Sequence, residues 1–256
     1  MLPGMIGGYE VQVLAIITGA FLLAGLIKGV IGVGTPLVVL PIGSLLLPPT
    51  VVMSFLIVPI VAANAYQLFS SAIYREAISR FWPAATAQLI AATITSQLLI
   101  MFDPESMKLV LGIAICVFGL MQIVRIRLEI SEGIERRVQV GVGTVAGGIG
   151  GVTGIHGPLL MVMLFTLKAS KDMFVTAMAM FFLVSYLPLF STLTFASILG
   201  WEELFISLAV TVPLILGVKF GERFRGGVSQ ELFRKLIGGV LILMGINLVW
   251  STLGAG

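Results

Sequence analysis

The sequence predicts an all-α, polytopic membrane protein built from two inverted repeats, each with a Gly/Pro-broken helical hairpin followed by three transmembrane helices. Of its 256 residues, 58% are hydrophobic and 11% are charged, whereas soluble domains average roughly 45–50% and about 25%. Eight stretches of 15 residues or more carry no charge at all. Because about 20 apolar residues cross the bilayer core, membrane-spanning helices are the predicted structure.

The same composition excludes several other classes of protein. The chain has one cysteine, Cys116, and one histidine, His156, so neither an internal disulfide nor a multi-histidine metal site is available. We therefore expect no metal and no cofactor. The net charge of +3 comes from loop residues, which favours the lipid bilayer as partner and not nucleic acid. The sequence does not set the oligomeric state.

Breaker residues and charges divide the chain into apolar blocks in order. Met1–Glu10 carries no Lys or Arg, so we expect the first apolar segment to stay in the mature protein. The first repeat, 1–124, contains a hairpin over 11–47 and helices over 51–74, 81–102 and 107–124. A charged cytoplasmic linker, 125–137, joins it to the second repeat, 138–256, with a hairpin over 138–167 and helices over 173–201, 204–218 and 236–253.

The two hairpin blocks are longer than one crossing, and each is interrupted midway by glycines followed by proline. Each is predicted to be two short helices joined at this Gly-Pro segment, the tip. If each block crosses the membrane once, the loop cations divide six against eight; if each returns to its side of entry, thirteen share one side and only Lys108 lies opposite. The positive-inside rule therefore favours returning hairpins, with both termini extracytoplasmic.

An internal repeat supports the two-copy organisation. At an offset of 122 residues, Gly19–Leu37 and Gly141–Leu159 are identical at nine of 19 positions. The returning hairpins make the first copy begin outside and the second inside, so the copies are inverted. Inverted repeats with broken helices in matching positions are typical of secondary transporters, whose ligand lies where the broken elements meet.

The two tips are the predicted ligand site. Pro36 and Pro158 are predicted to begin half-helices whose N-terminal amides and positive dipole ends face the break. Small residues around them leave room for a ligand to approach those amides. Two such tips would form a paired anion cradle that includes Gly32, Gly34, Thr35, Gly154 and Gly157.

Two ionisable side chains at the tips favour an anion as ligand. Lys28 either coordinates the anion or extends its ammonium to a lipid headgroup or a backbone carbonyl. His156 either donates to the anion, carries a coupling proton, or is a neutral histidine hydrogen-bonded within the protein. Asn64 and Gln67, in the helix after the first hairpin, are weaker candidates because polar side chains also bond between packed helices.

The doubled motif of small residues ending in Gly/Thr-Pro-Leu, at Gly25–Leu37 and Gly147–Leu159, resembles the sulfite exporter TauE/SafE family, as do the chain length and the central charged linker. The resemblance implies a bacterial carrier of small sulfur-containing anions such as sulfite, thiosulfate or the sulfonate sulfoacetate. It also implies that the matched tips form the substrate region, with Gly29, Gly32, Gly34, Thr35 and Pro36 in the first and Gly151, Gly154, His156, Gly157 and Pro158 in the second.

Together these observations predict a secondary transporter in the bacterial cytoplasmic (inner) membrane that works by alternating access, in the direction of export, with proton coupling left open. A passive anion channel that uses the same tips is the alternative. An enzyme is not expected, because no HExxH, GxSxG or paired intramembrane carboxylates occur, and no catalytic residue is assigned. A structural membrane subunit is a third alternative, but its expected long soluble domain is missing.

Overall fold

The computed structural model describes residues 5–31, 34–124, 132–224 and 230–253. A small antiparallel hairpin, β1 (Met5–Ile6) and β2 (Tyr9–Glu10), and a 3₁₀ turn at Glu132–Ile134 accompany the helices. The ten helices of these ranges are α1 (Val11–Ile31), α2 (Thr35–Ser44), α3 (Pro49–Phe69), α4 (Tyr74–Leu99), α5 (Pro104–Ile123), α6 (Glu135–Thr153), α7 (Gly157–Thr166), α8 (Lys171–Phe195), α9 (Trp201–Glu222) and α10 (Gln230–Leu253). Five of them, α1, α3, α5, α8 and α9, are long and apolar enough to cross a membrane. The predicted all-α polytopic fold is confirmed.

Helix boundaries differ from the predicted ones next to charged residues. α4 begins at Tyr74 and includes Arg75 and Arg80, and α9 continues through Lys219. Charged residues mark the edge of the apolar span, but the helical backbone continues past that edge because its hydrogen bonds are internal. Of the predicted linker, residues 125–131 lie outside the described residues, and Glu135–Arg137 form the first turn of α6.

The chain divides into two compact units. The first contains Met1–Pro59, Phe102–Ile123 and Leu193–Gly256, and the second contains Ile60–Met101 and Val124–Thr192. Each unit therefore combines the hairpin of one predicted repeat with helices of the other.

In the first unit, α2 returns antiparallel along α1. A β-carbon added at Gly34 would lie 3.6 Å from Ile27, and one at Gly43, nine residues on, would lie 3.1 Å from Ile17. The contacts thus move back towards the start of α1 as α2 advances. At ten residues, α2 is about 15 Å long, half of the bilayer core.

Small residues allow α1 to lie directly on α9. A β-carbon at Gly25 would overlap the carbonyl oxygen of Leu214, and one at Gly29 would overlap that of Val218. Contacts advance in the same sense along both chains, so α1 and α9 are parallel. α5 and α10 are instead antiparallel, because Gly112 meets Val249 whereas Gly119 meets Gly238. Approach of two backbones through glycines is typical of helix pairs in membranes.

The second unit repeats this kind of packing between α4 and α6. β-carbons at Gly143 and Gly147 would overlap the carbonyl oxygens of Ala84 and Gln88, so these two helices also run parallel. Gly143, Gly147 and Gly151, which are spaced by four on α6, therefore allow close packing of α6 on α4. Small residues at this spacing predict such packing.

Arg80 joins both arms of the second hairpin. Its Nε donates to Oε1 of Glu135 at 3.0 Å, at the start of α6, and its Nη2 donates to the carbonyl oxygen of Leu167 at 3.3 Å, directly after α7. α7 therefore ends beside the start of α6. Gln139 supports the contact by donating to Oε1 of Glu135 at 3.0 Å.

We expect Arg80→Ala to destabilise the second hairpin, because it removes an ion pair and a bond to a helix-terminal carbonyl at once. The loss should be about 1 kcal/mol, since the pair is partly exposed. Thermal unfolding in detergent measures it. Arg75→Ala is the control, because the described polar contact of Arg75 is to its neighbour Tyr74. Equal melting temperatures for the two variants would show that Arg80 does not hold the hairpin.

The N-terminal β-hairpin is fastened to α9. The Tyr9 hydroxyl donates to Oε1 of Glu203 at 2.7 Å, and its ring meets Phe55 edge-on at a centroid distance of 5.4 Å. Burial and the nearby Glu203 carboxylate both raise the pKa of Tyr9. The other oxygen of Glu203 accepts from the Gly200 amide at 2.9 Å and so caps the start of α9.

Candidate functional site

The first tip lies between α1 and α2 in the first unit. Gly34 has φ of 120° and ψ of 4°, a conformation that favours glycine, and it directly precedes α2. Thr35 and Pro36 form the first turn of α2 and are buried. Gly32, the middle glycine of the predicted cradle, lies outside the described residues.

Lys28 occupies the last turn of α1, and only 7% of its surface is exposed. A cation in the last turn interacts favourably with the negative end of the helix dipole. Even so, burying an ammonium group is costly unless neighbouring groups stabilise its charge. The structure thus places a buried positive group before the first tip, and its contact with an anion stays a prediction.

The second tip, between α6 and α7 in the second unit, is a well-formed reversal of the chain. Gly154 adopts the left-handed conformation with φ of 70°, and its amide donates to the Gly150 carbonyl oxygen at 2.7 Å. The Ile155 amide donates to Oγ1 of Thr153 at 3.2 Å. From the neighbouring helix α8, the Tyr186 hydroxyl donates to the Gly154 carbonyl oxygen at 3.2 Å. These bonds fix the loop that precedes α7.

His156 is the central side chain of this tip. It is 1% exposed, and neither ring nitrogen has a hydrogen-bond partner among the described residues. The Ala146 carbonyl is close enough to act on the ring electrostatically, but it does not complete a hydrogen bond. Nδ1 lies directly against Gly150, where any β-carbon would overlap the imidazole. Both ring nitrogens are buried, and Nδ1 is the one that lies against Gly150.

The position of His156 joins it to a helix terminus. It is the residue before α7, which begins with Gly157 and has Pro158 in its first turn. The first amides of a helix have no partner within the helix and carry its positive dipole end. An imidazole N–H and free helical amides at one buried point together suit an anion.

The structure places several of the predicted site residues elsewhere. Gly29 and Gly151 lie at helix contacts, with α9 and α4 respectively, where a side chain would overlap the facing helix. Asn64 is buried on α3 and donates to the Ile60 carbonyl oxygen at 2.7 Å. Ligand contacts of these three residues stay predictions.

Gln67 lines a cavity of about 400 Å³ with Ser71, Asp172 and Thr176. Asp172 and Thr176 lie on α8, ten or more positions before Tyr186, which is a separation of at least about 15 Å along the helix. The structure thus does not bring Gln67 beside His156.

Two further polar residues, Gln88 and Ser185, lie in the surroundings of the second tip, and the sequence marks them only as weak candidates for contact with a substrate. Gln88 of α4 donates through Nε2 to the Ser185 hydroxyl, next to Tyr186 on α8. The available signal was the presence of polar residues in otherwise apolar helices, but such residues occur at many positions. Within the described ranges, no cluster of three or more His, Cys, Asp or Glu side chains is placed to hold a metal ion.

Comparison with known families decides the classification. The model of the family described as "Sulfite exporter TauE/SafE" matches residues 17–248, which include both tips and the linker. The chain belongs to this family. No curated protein and no solved structure matches the chain. TauE/SafE proteins form a family of membrane transporters of sulfur anions rather than a family of enzymes. Both tips of this TauE/SafE member lie within the matched region.

Proposed function

We propose that this TauE/SafE member is a secondary transporter that exports small sulfur-containing anions, such as sulfite, thiosulfate or sulfoacetate, across the bacterial inner membrane by alternating access. The observation that carries the proposal is His156, a buried imidazole without a described hydrogen-bond partner at the first turn of α7. An anion at this point receives donors from the imidazole and from the α7 amides.

The electrostatics of the tips suit a negatively charged substrate. An anion loses most of its hydration inside a protein, and fixed dipoles and cationic groups offset that cost. In the second unit, the N-terminus of α7 lies at the second tip. In the first unit, the N-terminus of α2 lies at the first tip, and buried Lys28 lies in the last turn of α1. The inside-negative membrane potential favours export of an anion by about 2.3 kcal/mol per charge per 100 mV.

Helix directions support the returning hairpins and the inverted repeat. With returning hairpins, α5 is the third crossing and α10 the sixth, so the two helices run in opposite directions. If each broken block crossed once, they would be the fourth and eighth crossings and would run parallel. Their contacts are antiparallel. α5 and α10 are the last helices of the two repeats, so an inverted repeat also requires them to run in opposite directions.

In each unit, the first helix of one repeat packs on a helix of the other repeat. α1, the first helix of one repeat, packs in parallel on α9, the fourth helix element of the other; α6 packs in the same way on α4. A two-fold relation between inverted repeats generates this reciprocal pattern. Two interchangeable halves provide inward- and outward-open states of similar energy, which favours a carrier over a channel.

Uptake of radiolabelled sulfite, sulfoacetate, taurine and chloride into proteoliposomes tests the proposed function. We expect saturable flux for the sulfur-containing anions and only leak rates for chloride. Resolvable single-channel openings in a planar bilayer, or chloride flux as fast as that of any sulfur anion, would instead favour the channel. Flux measured with the substrate placed on either side, under an imposed potential or proton gradient, determines direction and coupling.

Lys28 gives a second test on the same vesicles. We expect Lys28→Ala to reduce saturable sulfite uptake about tenfold, because the buried cation beside the first tip is lost. Lys108→Ala is the matched control, since Lys108 pairs with Glu105 at 3.0 Å at the start of α5. Wild-type uptake in Lys28→Ala would show that Lys28 takes no part in transport.

A further inference from the structure

The side chain of Gln88 is fully buried, and its hydrogen bond to Ser185 sets the orientation of the carboxamide. The Ser185 hydroxyl donates to the Phe181 carbonyl oxygen at 2.6 Å, so its proton is already used. Ser185 can therefore only accept from Gln88, and it does so from Nε2. The amide oxygen Oε1 must then lie on the opposite side of the carboxamide. This atom is buried and has no hydrogen-bond partner within the described part of the chain.

Two helices hold Gln88 close to His156. The backbone of Gln88 lies against Gly147 of α6. The imidazole of His156 lies against Gly150 of the same helix, one helical turn further on. On α8, Ser185 binds Gln88, while the next residue, Tyr186, has its ring centroid 6.0 Å from that of His156. Residues one turn apart on a helix are neighbours on its surface. Gln88 and His156, with the unpaired amide oxygen and the unpaired imidazole, thus lie about one helical turn apart along α6, and we refer to them as one buried polar cluster.

The unpaired groups of this cluster differ in hydrogen-bonding character. Oε1 of Gln88 only accepts, whereas the α7 amides only donate and the imidazole donates through its protonated nitrogen. A fully deprotonated oxyanion satisfies the donors but leaves Oε1 without a partner. An anion that also carries an O–H or N–H group satisfies both. Buried polar groups left without partners are penalised, so the cluster discriminates between these two kinds of anion.

We propose that Gln88 is a specificity-determining residue, whose Oε1 accepts a hydrogen bond from a donor carried by the transported anion. The ligand class is then a sulfur oxyanion or sulfonate monoanion with its own O–H group, such as hydrogen sulfite or a hydroxylated sulfonate. This inference rests on the proposed function, because it refines the substrate of the same tip. Ser185 is a positioning residue that sets the orientation of the amide.

Two sulfonates that differ by one hydroxyl group test the inference. Unlabelled isethionate (2-hydroxyethanesulfonate) and ethanesulfonate compete with labelled sulfite for uptake into proteoliposomes at one fixed pH. In the wild type, we expect isethionate to inhibit at a concentration about tenfold lower than ethanesulfonate. In Gln88→Met, which has a similar size but no acceptor oxygen, the two inhibition constants should become equal. Gln88→Asn, whose shorter side chain withdraws the oxygen, should lose the preference as well.

Gln97→Met is the matched control. Gln97 lies on the same helix and donates to Oγ1 of Thr192 at 3.0 Å, so the change is chemically the same but lies more than two turns from Gln88. This variant should keep the wild-type preference. Monodisperse elution from a sizing column verifies that each variant is folded.

Equal inhibition by the two sulfonates in the wild type, or a preference retained in both Gln88 variants, overturns the assignment of Gln88. Failure of the proposed function gives a different result, since wild-type vesicles would then show no saturable sulfite uptake. Thermal stabilisation of the purified protein in detergent by each sulfonate still decides the inference in that case. Greater stabilisation by isethionate that disappears in Gln88→Met supports the donor subsite, and equal stabilisation overturns it.

Discussion

His156→Ala is expected to reduce saturable transport of sulfite roughly 10- to 100-fold. The imidazole is the one side chain of the second tip that is buried beside the first amides of α7 and has no described partner at either nitrogen. A hydrogen bond to a charged group contributes about 1.5–3 kcal/mol, and each 1.4 kcal/mol corresponds to a tenfold change in affinity. Initial rates at several sulfite concentrations in proteoliposomes measure the effect.

A second variant separates the loss of a donor from the loss of packing. His156→Gln keeps an N–H donor at a similar distance from the backbone, so we expect it to recover part of the transport that His156→Ala loses. Thr93→Val is a suitable control, because Thr93 is exposed and its hydroxyl donates within α4 to the Leu89 carbonyl oxygen at 2.8 Å. Wild-type rates in both His156 variants would exclude the imidazole from the transport site.

Gly25→Ala and Gly147→Ala are expected to destabilise the protein by about 3 kcal/mol each, the upper part of the usual range for overpacking. The added methyl group would overlap a backbone carbonyl oxygen of the facing helix in both cases, that of Leu214 or that of Gln88. A backbone atom cannot move aside as a side chain can, so the helix pair must separate. Thermal or denaturant unfolding in detergent micelles measures the loss.

The chain contains matched controls for these substitutions. Gly19 lies on α1 and Gly148 on α6, and a β-carbon at either position would meet nothing within 4 Å. Gly19→Ala and Gly148→Ala should therefore leave stability unchanged or raise it by up to about 1 kcal/mol, because alanine favours the helix. If all four substitutions had the same effect, close packing of α1 on α9 and of α6 on α4 would be contradicted.

The fold class could be predicted because apolar length and charge spacing are local properties of the sequence. The role of individual glycines could not. Gly25 and Gly29 resemble helix breakers in sequence, which predicts a short first arm for the hairpin. α1 nevertheless continues through both glycines and is 21 residues long. Whether a glycine interrupts a helix or accommodates another one depends on a partner distant in sequence, here α9.

The position of the candidate site could be predicted from the sequence, but the contacts of its side chains could not. The proline and glycine pattern placed the start of α7 correctly, next to His156. The unpaired state of the imidazole is not visible in the sequence, since it depends on Gly150 and Tyr186 lying against the ring. The orientation of Gln88 likewise requires the pairing of α4 with α8 through Ser185. Polar residues become informative only when their partners in space are known.

The most direct test of the anion site uses the fact that the chain has a single histidine. Protein labelled with ¹⁵N-histidine gives imidazole nitrogen signals from His156 alone, so these signals report on the second tip without assignment. We expect sulfite to shift these signals in a saturable manner, and chloride at the same ionic strength to leave them unchanged. Imidazole signals that stay constant while the same preparation transports sulfite with saturation would contradict anion binding at His156.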